Sequence, residues 1–330
     1  MSHILVISTG GTIASLPQDN GDVKAVLQGE DLVRRLPVQN QQDQNQGKHR
    51  PIIVKTFTTI GSFAFTFETL YELGNVVQTA IADEEVGGIV ITHGTDTMEE
   101  TAFFLSLTCQ RKKPIVLTGA QLNASEPASD GLRNLSDAIR VASCQEAAAL
   151  GPVIAFAGFL HAGREVRKVD TSALEAFQSV GFGPVGRVEH NKVIIRRKCT
   201  DYPLLPLQPM ERVGLVRLGI GMTGDEILKI AEGYKGLVIE AYGLGNAHPS
   251  IAPAVQQLAN RKIPVVITSR CLRGSVAPVY GGGGGRDLER AGAFFAGDLS
   301  GEKARILLAL LIGNKLDHEA FYEWFNAWGH

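Results

Sequence analysis

The sequence predicts an α/β protein with two α/β domains: a larger N-terminal domain with a mostly parallel sheet flanked by helices, and a smaller C-terminal one. Short β-branched runs recur along the chain, each followed by a glycine or polar turn and then by a helical pattern. This alternation is typical of βαβ units. The runs are apolar throughout, as strands are when helices cover both faces of a sheet.

The elements of the N-terminal domain, expected over 1–197, follow from these patterns. Helices are predicted from the N-cap Thr66, over 98–109 and from Asp130, because apolar residues recur there at helical spacing. The strands are predicted at 4–8, 52–56, 88–92, 115–118 and 153–156.

A proline-rich stretch with little periodicity, 198–212, is interpreted as a linker. Alternation then resumes, which defines a C-terminal domain over 213–330. A C-terminal helix of this domain is predicted to begin near Glu302. In the first domain, the Gln/Asn-rich stretch 39–48 is predicted to be an exposed loop. The strands of the C-terminal domain are predicted at 214–218, 237–240 and 265–268.

Composition places the chain among ordinary globular proteins. Of its 330 residues, 20% are charged and 44% are apolar, which argues against wholesale disorder. At about 150 residues per domain, the length suggests two domains. The 32 Lys and Arg against 34 Asp and Glu give a net charge of −2, so we expect no nucleic-acid partner.

Cysteine usage and hydropathy indicate the compartment. Cys109, Cys144, Cys199 and Cys271 form no CxxC pair, which excludes a zinc ribbon or thioredoxin-type site. Two disulfides are possible on count alone, but a reduced chain is the favoured interpretation. The first residues lack the features of a secretory signal, and the longest aliphatic run, 306–312, is far shorter than the about 18 residues that span a membrane. We expect a cytoplasmic protein without a membrane segment.

Polar clusters follow two of the predicted strands, where ligands bind in open α/β sheets. Residues 9–12 (TGGT) follow the first strand, and Thr95 and Asp96 follow the third. The two glycines before Thr12 leave backbone N–H groups exposed, which could form an oxyanion hole if Thr12 or Thr95 is a nucleophile. A phosphate-binding turn or a plain strand-to-helix connection is the alternative, although no dinucleotide or P-loop motif occurs. His93 could act as a base, but a histidine there is more often structural.

Two long signatures decide between these interpretations. Residues 7–14 read ISTGGTIA and residues 90–102 read VITHGTDTMEETA. In this order they resemble the bacterial-type L-asparaginase family. Further matching segments are LTGAQ at 117–121, the stretch 129–135, the lysine segment at 163–168, and GLGN at 243–246. The resemblance extends over about residues 3–313.

The resemblance implies an amidohydrolase that attacks a side-chain amide through a threonine acyl-enzyme. Thr12 would be the nucleophile and Thr95 the second threonine, assisted by Lys168 and Asp96; which threonine attacks first stays open. Taken from the residues alone, Lys168 could equally be a solvated lysine in the basic run 164–168. The residues that the resemblance assigns to substrate binding are Gly11, Ser62, Phe63, Gly94, Asp96 and Ala120.

The resemblance further implies a small-molecule amide substrate, neither metal nor organic cofactor, and a homotetramer built from intimate dimers. The spacing of possible metal ligands agrees with the absence of a metal site. Each active site would be completed by the C-terminal domain of a neighbouring subunit.

Two residues that hold the substrate in the family, a glutamine and a glutamate, and a tyrosine of its mobile N-terminal loop have no counterpart here. The family has a Ser-Gln pair after the second strand, whereas Phe63 follows Ser62, and phenylalanine offers no hydrogen bond. The stretch 274–285 lacks a carboxylate that would match the family's glutamate, and no tyrosine occurs between Ile13 and Leu70. Either other residues, such as His248, replace these contacts, or the substrate is an amide without an α-ammonium group or with an apolar extension over Phe63.

Two rival functions remain beside the hydrolase. One is a non-catalytic amino-acid-binding protein on this fold, against which the joint presence of both threonines, Asp96 and Lys168 argues. The other is the amidase subunit of a tRNA-dependent amidotransferase. That function predicts an additional domain before the first strand, whereas this strand begins at residue 3 or 4, so we rank it below the hydrolase.

Overall fold

The computed structural model describes residues 2–36 and 50–329. The chain divides into two compact units, Met1–Leu204 and Leu205–His330, and the division falls inside the stretch interpreted as a linker. The predicted loop 39–48 lies outside the described residues. The four cysteines are free thiols.

The first unit is built on an eight-stranded sheet in the order β12-β11-β8-β7-β6-β5-β1-β4, with two separate two-stranded ribbons, β2–β3 and β9–β10. The strands of this unit are β1 (His3–Gly10), β2 (Ser15–Pro17), β3 (Val23–Ala25), β4 (Ile52–Ile60), β5 (Val86–Thr92), β6 (Ile115–Thr118), β7 (Val153–Phe156), β8 (Phe159–Ala162), β9 (Val166–Lys168), β10 (Phe177–Ser179), β11 (Gly186–Glu189) and β12 (Lys192–Ile195).

The five strands predicted from the sequence form the parallel part of this sheet, β4-β1-β5-β6-β7. Its register places Leu5 of β1 between Ile53 and Ile89. The strands β8, β11 and β12 add antiparallel partners beyond β7. They were not predicted, because no helix lies directly before or after any of them, so the alternation of strands and helices does not mark them.

The helices of the first unit are α1 (Gly29–Arg34), α2 (Phe67–Ala82), α3 (Met98–Thr108) and α4 (Gly131–Ser143). Thr66 caps α2 as predicted, since its Oγ1 accepts a hydrogen bond from the backbone N–H of Thr69 at 3.2 Å. Helix α3 is apolar on most of its surface and buries Met98, Phe103 and Phe104 completely, as a helix in a protein interior does.

The second unit has one four-stranded parallel sheet in the order β13-β14-β15-β16. Its first three strands and the last long helix were predicted, and that helix begins at Gly301 after the N-cap Ser300. The elements are β13 (Val213–Arg217), α5 (Gly224–Ile230), β14 (Gly236–Ala241), α6 (Ile251–Asn260), β15 (Val265–Ser269), α7 (Gly285–Arg290), β16 (Phe294–Phe295), α8 (Gly301–Gly313) and α9 (His318–Trp328).

The predicted class, two α/β domains with the larger parallel sheet first, is confirmed. Within residues 2–36 and 50–329, no helix has the length and apolar character required to cross a bilayer.

Helix α4 packs so tightly on β5 that a methyl group does not fit between them. A Cβ on Gly88 would lie 2.0 Å from the carbonyl oxygen of Ala142. We expect Gly88→Ala to lower the free energy of unfolding by about 3 kcal/mol, because backbone must move to admit the methyl. Gly87→Ala is the matched control, since its Cβ would meet only the flexible ends of Arg50 and Ser2, at 2.8 and 3.0 Å. Urea unfolding followed by circular dichroism measures both, and equal losses would contradict the packing argument.

Candidate active site

The candidate site lies where β4, β1, β5 and β6 end. These neighbouring strands are parallel, so their carboxyl ends meet at one edge of the sheet, where ligands bind in such folds. The residues that follow them include Ser62 after β4, Thr12 after β1, Thr95 after β5 and Ala120 after β6. The strand order thus gathers four segments that are far apart in the sequence.

Two glycines hold the ends of β1 and β5 together. Gly11 has a φ of 81°, which favours glycine, and a Cβ there would lie 2.4 Å from the nitrogen of Gly94. The strand ends are also joined by a hydrogen bond from Thr9 Oγ1 to the carbonyl oxygen of Thr92, at 2.8 Å. The Thr12 and Thr95 loops therefore touch through backbone atoms.

Thr12 begins a short 3-10 turn, Thr12–Ala14, in which Ile13 and Ala14 are buried. Burial of these two side chains in the core fixes the turn, while Thr12 itself is half-buried. In the part of the chain that the structure describes, no partner binds the Thr12 hydroxyl. This hydroxyl is available to a substrate.

Thr95, Asp96 and Lys168 form one hydrogen-bonded group. Lys168 Nζ donates to Thr95 Oγ1 and to Asp96 Oδ1, both at 2.8 Å. Thr95 is buried, the Lys168 side chain is 17% exposed and that of Asp96 is 54% exposed. Lys168 comes from the end of β9, which pairs with β10, so this ribbon supplies the cation of the group. The contact disfavours the interpretation of Lys168 as a merely solvated lysine.

Gln121 is a site residue that was absent from the sequence-based set. Thr95 Oγ1 donates to Gln121 Oε1 at 3.1 Å, and Gln121 Nε2 donates to the carbonyl oxygen of Ala173 at 3.1 Å. The second bond fixes the orientation of the amide, so oxygen faces the threonine. Asp130 shapes this loop by accepting from the backbone N–H groups of Gln121 and Leu122. The available signal was the position of Gln121 directly after Ala120.

Ser62 carries a buried hydroxyl without a hydrogen-bond partner in the described residues. The residue is 2% exposed, and no group in the described residues bonds its Oγ. A Cβ on Gly94 would lie 2.6 Å from that Oγ, and Thr97 Oγ1 donates to the Ser62 carbonyl oxygen at 2.9 Å. A buried polar group without a partner is costly, which is consistent with a hydroxyl reserved for a ligand.

Phe63 and Ala120, two further residues of the predicted set, differ in exposure. The Phe63 side chain is 79% exposed and its ring packs over Gly61, where a Cβ would lie 2.3 Å from it. Ala120 is fully buried, with its methyl near the start of α4 at Gly131, so only its backbone can face a ligand. His248, considered as a replacement contact, lies in the second unit and bonds Ser250 Oγ.

His93 has a structural environment. Its Nδ1 lies 2.7 Å from the carbonyl oxygen of Gly94 and its Nε2 lies 2.9 Å from Thr101 Oγ1. A neutral ring that donates from Nδ1 and accepts at Nε2 satisfies both partners. Burial lowers the pKa of His93 to about 4, so the ring stays neutral. With both nitrogens engaged, His93 is not free to act as the base considered from the sequence.

Comparison with known proteins identifies the family of this chain. Residues 3–201 match the N-terminal asparaginase family model, and residues 212–325 match the glutaminase/asparaginase C-terminal domain. The chain belongs to the asparaginase family. It is therefore an amidohydrolase, an enzyme that acts on amide C–N bonds. Among the residues described, no group of three or more His, Cys, Asp or Glu side chains could hold a metal ion.

Relatives within the family differ in their named activities. An L-asparaginase of Bacillus licheniformis is 32% identical over 94% of this chain and 95% of its own length. One subunit of a glutamyl-tRNA(Gln) amidotransferase of Methanosarcina barkeri is 31% identical over 95% of this chain but 74% of its own length. The crystal structure of a probable cytoplasmic L-asparaginase from Campylobacter jejuni superposes with a TM-score of 0.87 at 29% identity, covering 99% of this chain and all of that one.

Burial of His93 makes the folded chain sensitive to acid. The unfolded chain binds a proton at His93 below about pH 6.5, whereas the folded chain does so only below about 4. The contribution of the neutral His93 ring to the free energy of unfolding is thus complete above pH 6.5. It decreases by up to roughly 3 kcal/mol as the pH falls to 4. We expect His93→Asn to reduce the pH dependence of the unfolding free energy by that amount, measured by urea unfolding between neutral pH and about 4.5. The exposed His248→Asn is the control and should keep the wild-type slope.

Proposed function

We propose that this enzyme hydrolyses the side-chain amide of L-asparagine to L-aspartate and ammonia through a threonine acyl-enzyme. The observation that carries the proposal is the contact of Lys168 Nζ with both Thr95 and Asp96, at the sheet edge where the Thr12 loop also lies. It is supported by relatives over nearly the whole chain that are named L-asparaginase.

In the proposed reaction, Thr12 Oγ1 attacks the amide carbonyl carbon and loses its proton. The nitrogen of the tetrahedral adduct takes up that proton and leaves as ammonia, and an ester to Thr12 remains. Water then attacks that ester, releasing the carboxylic acid and returning the proton to Thr12. A threonine hydroxyl is a weak nucleophile at neutral pH and needs a base. The group of Thr95, Lys168 and Asp96 would move these protons as one unit.

The oxyanion of the adduct requires free backbone donors. Gly11, expected to contribute one, is unsuitable because its N–H donates to the carbonyl oxygen of Ile60 at 3.2 Å. The register of β1 on β4, which pairs Gly10 with Ile60, causes this bond. We assign the role instead to the N–H groups of Thr12 and Thr95, which follow the two glycine turns.

The substrate's charged groups have two candidate partners. The unbonded Ser62 hydroxyl would bind the α-carboxylate. Asp96 uses Oδ1 for Lys168 and is half-exposed, so the carboxylate remains open to the α-ammonium. The backbone of Gly94 and Ala120 would line the amide end. Phe63 supplies apolar surface at the rim and no hydrogen bond.

We further propose a cytoplasmic location and a homotetramer of intimate dimers, as the family resemblance implies. The Campylobacter jejuni relative that the fold matches is named as cytoplasmic. Large apolar side chains stay exposed in loops that follow strands of the second unit, which supports burial against another protomer. These side chains are Ile220, Leu244, Leu272, Val279 and Tyr280.

A second candidate substrate class is an amide that lacks the α-ammonium group or carries an apolar extension. The exposed ring of Phe63, beside Ser62, is the observation that favours it. An apolar group could cover this ring, whereas the α-ammonium of asparagine finds no hydrogen bond there.

Removing the reacting hydroxyls or the lysine tests the mechanism. Thr12→Val, Thr95→Val and Lys168→Met should each lower kcat for ammonia release by about 10³-fold or more, because each removes the nucleophile or part of the proton-transfer unit. Thr79→Val is the matched control, since Thr79 lies on the exposed face of α2 and its hydroxyl donates to the Asn75 carbonyl oxygen of the same helix. A Thr12→Val enzyme with full activity would refute the assignment of the nucleophile.

The substrate class is tested by comparing L-asparagine with succinamate, which lacks the α-amino group, at equal concentration. We expect asparagine to be hydrolysed with the higher kcat/KM, because an Asp96 contact to the ammonium discriminates between them. In the same assay, Phe63→Gln should lower KM for asparagine by restoring a polar contact. Equal or faster hydrolysis of succinamate would favour the second substrate class. An unchanged KM of Phe63→Gln for asparagine would show that Phe63 does not determine asparagine binding.

A further inference from the structure

Glu99 makes a contact with the proton-transfer group that the mechanism has not used. It lies in the first turn of α3, three residues after Asp96, and is 8% exposed. Its Oε2 accepts a hydrogen bond from the backbone N–H of Lys168. We propose that Glu99 is a positioning residue that holds the backbone of Lys168 where its Nζ can reach Thr95 and Asp96. The inference rests on the proposed function of this group.

The segment 95–99 thereby contacts both the side-chain ammonium and the backbone N–H of Lys168. Thr95 and Asp96 hold Nζ at 2.8 Å each, and Glu99 holds the backbone N–H. A lysine side chain has four rotatable bonds and a compact charge, so without further contacts its Nζ can occupy many positions. Fixing the backbone and the ammonium to the same rigid helix start reduces the positions open to the amine.

The strand that carries Lys168 needs such an attachment. Strand β9 has three residues and belongs to a two-stranded ribbon, in which Lys168 pairs with Phe177 of β10. Within the described part of the chain, this ladder ties β9 to β10 only and leaves its other edge without a strand. On that edge, Glu99 supplies an acceptor from α3.

Helix α3 and the chain that leads into β9 are already in backbone contact. A Cβ on Gly163 would lie 2.6 Å from the carbonyl oxygen of Ala102. Glu99 and Ala102 are three residues apart on α3, so they share a face of the helix. The two contacts together hold the segment 163–168 along α3, one at its start and one at Lys168.

The chemistry of the acceptor suits this task. A carboxylate accepts a stronger hydrogen bond from an N–H group than a neutral amide does, and the N-terminus of α3 favours a negative charge in its first turn. Glutamine would keep the acceptor and the shape but lose the charge. Methionine would keep the volume and lose the acceptor. The pair of substitutions therefore separates the hydrogen bond from simple packing.

The kinetic test uses the full-length enzyme and ammonia release from L-asparagine. Glu99→Met should lower kcat on the order of 10²-fold, because a displaced reactive group costs about that much, and should leave KM within about threefold. Glu99→Gln should restore kcat to within about tenfold of the wild type. Glu68→Ala is the matched control: Glu68 is also a first-turn carboxylate, so it reports the helix-dipole effect alone. In a Lys168→Met background, Glu99→Met should cause no further loss, since the residues act as one unit.

Hydrogen–deuterium exchange gives a readout that does not depend on activity. In Glu99→Met, exchange should rise in the peptide that contains Lys168, whereas Glu99→Gln and Glu68→Ala should match the wild type. Unchanged exchange in Glu99→Met, or kcat losses of equal size in the Gln and Met variants, would overturn the inference. A wild-type enzyme without ammonia release would instead overturn the proposed function, and the exchange data would still decide whether Glu99 holds Lys168.

Discussion

The backbone contact between Gly11 and Gly94 is the constraint on which the candidate site depends. Two strand ends approach so closely that a Cβ on Gly11 would lie 2.4 Å from the neighbouring nitrogen. Any other residue would separate the loops, and Thr12 would move away from the group formed around Thr95. The same approach brings Gly94 against the Ser62 hydroxyl. The residues proposed for substrate binding and those proposed for catalysis thus share one backbone junction, which leaves little freedom to move one set without the other.

Much of the fold follows from local sequence patterns. Four strands of the parallel sheet, β1, β5, β6 and β7, are mostly apolar and buried, so pattern and burial agree, whereas the edge strand β4 carries Lys55 and has no fully buried residue. The antiparallel strands β8, β11 and β12 have no helix directly before or after them, so the alternation does not mark them, and they are set by pairing with neighbours. Helix α9 was missed for a different reason: its aromatic residues form a cluster around Phe294, 27 residues before Phe321, and such a contact is invisible to a local pattern.

The site was predictable in its residue types but only partly in its connections. The family-like signatures named Thr95, Asp96 and Lys168, and the structure brings these three together across 72 and 73 residues of sequence. Gln121 and Glu99 were not predicted as site residues, because they are linked to the site by contacts to Ala173 and to the Lys168 backbone. The Gly11 N–H was expected to bind the oxyanion, but it donates to the Ile60 carbonyl oxygen. The strand register that causes this bond is not encoded in any motif.

The separate ribbon β9–β10 has a consequence for how such an enzyme would lose activity. Thr95 and Asp96 follow an inner strand of the large sheet, whereas Lys168 belongs to β9, one of two three-residue strands that form a separate ribbon. A ribbon of two three-residue strands opens at a smaller cost in free energy than a strand inside an eight-stranded sheet does. Heat or denaturant would therefore detach the amine while the sheet remains intact. Catalytic inactivation would precede global unfolding, and on cooling it would be reversed without refolding of the core.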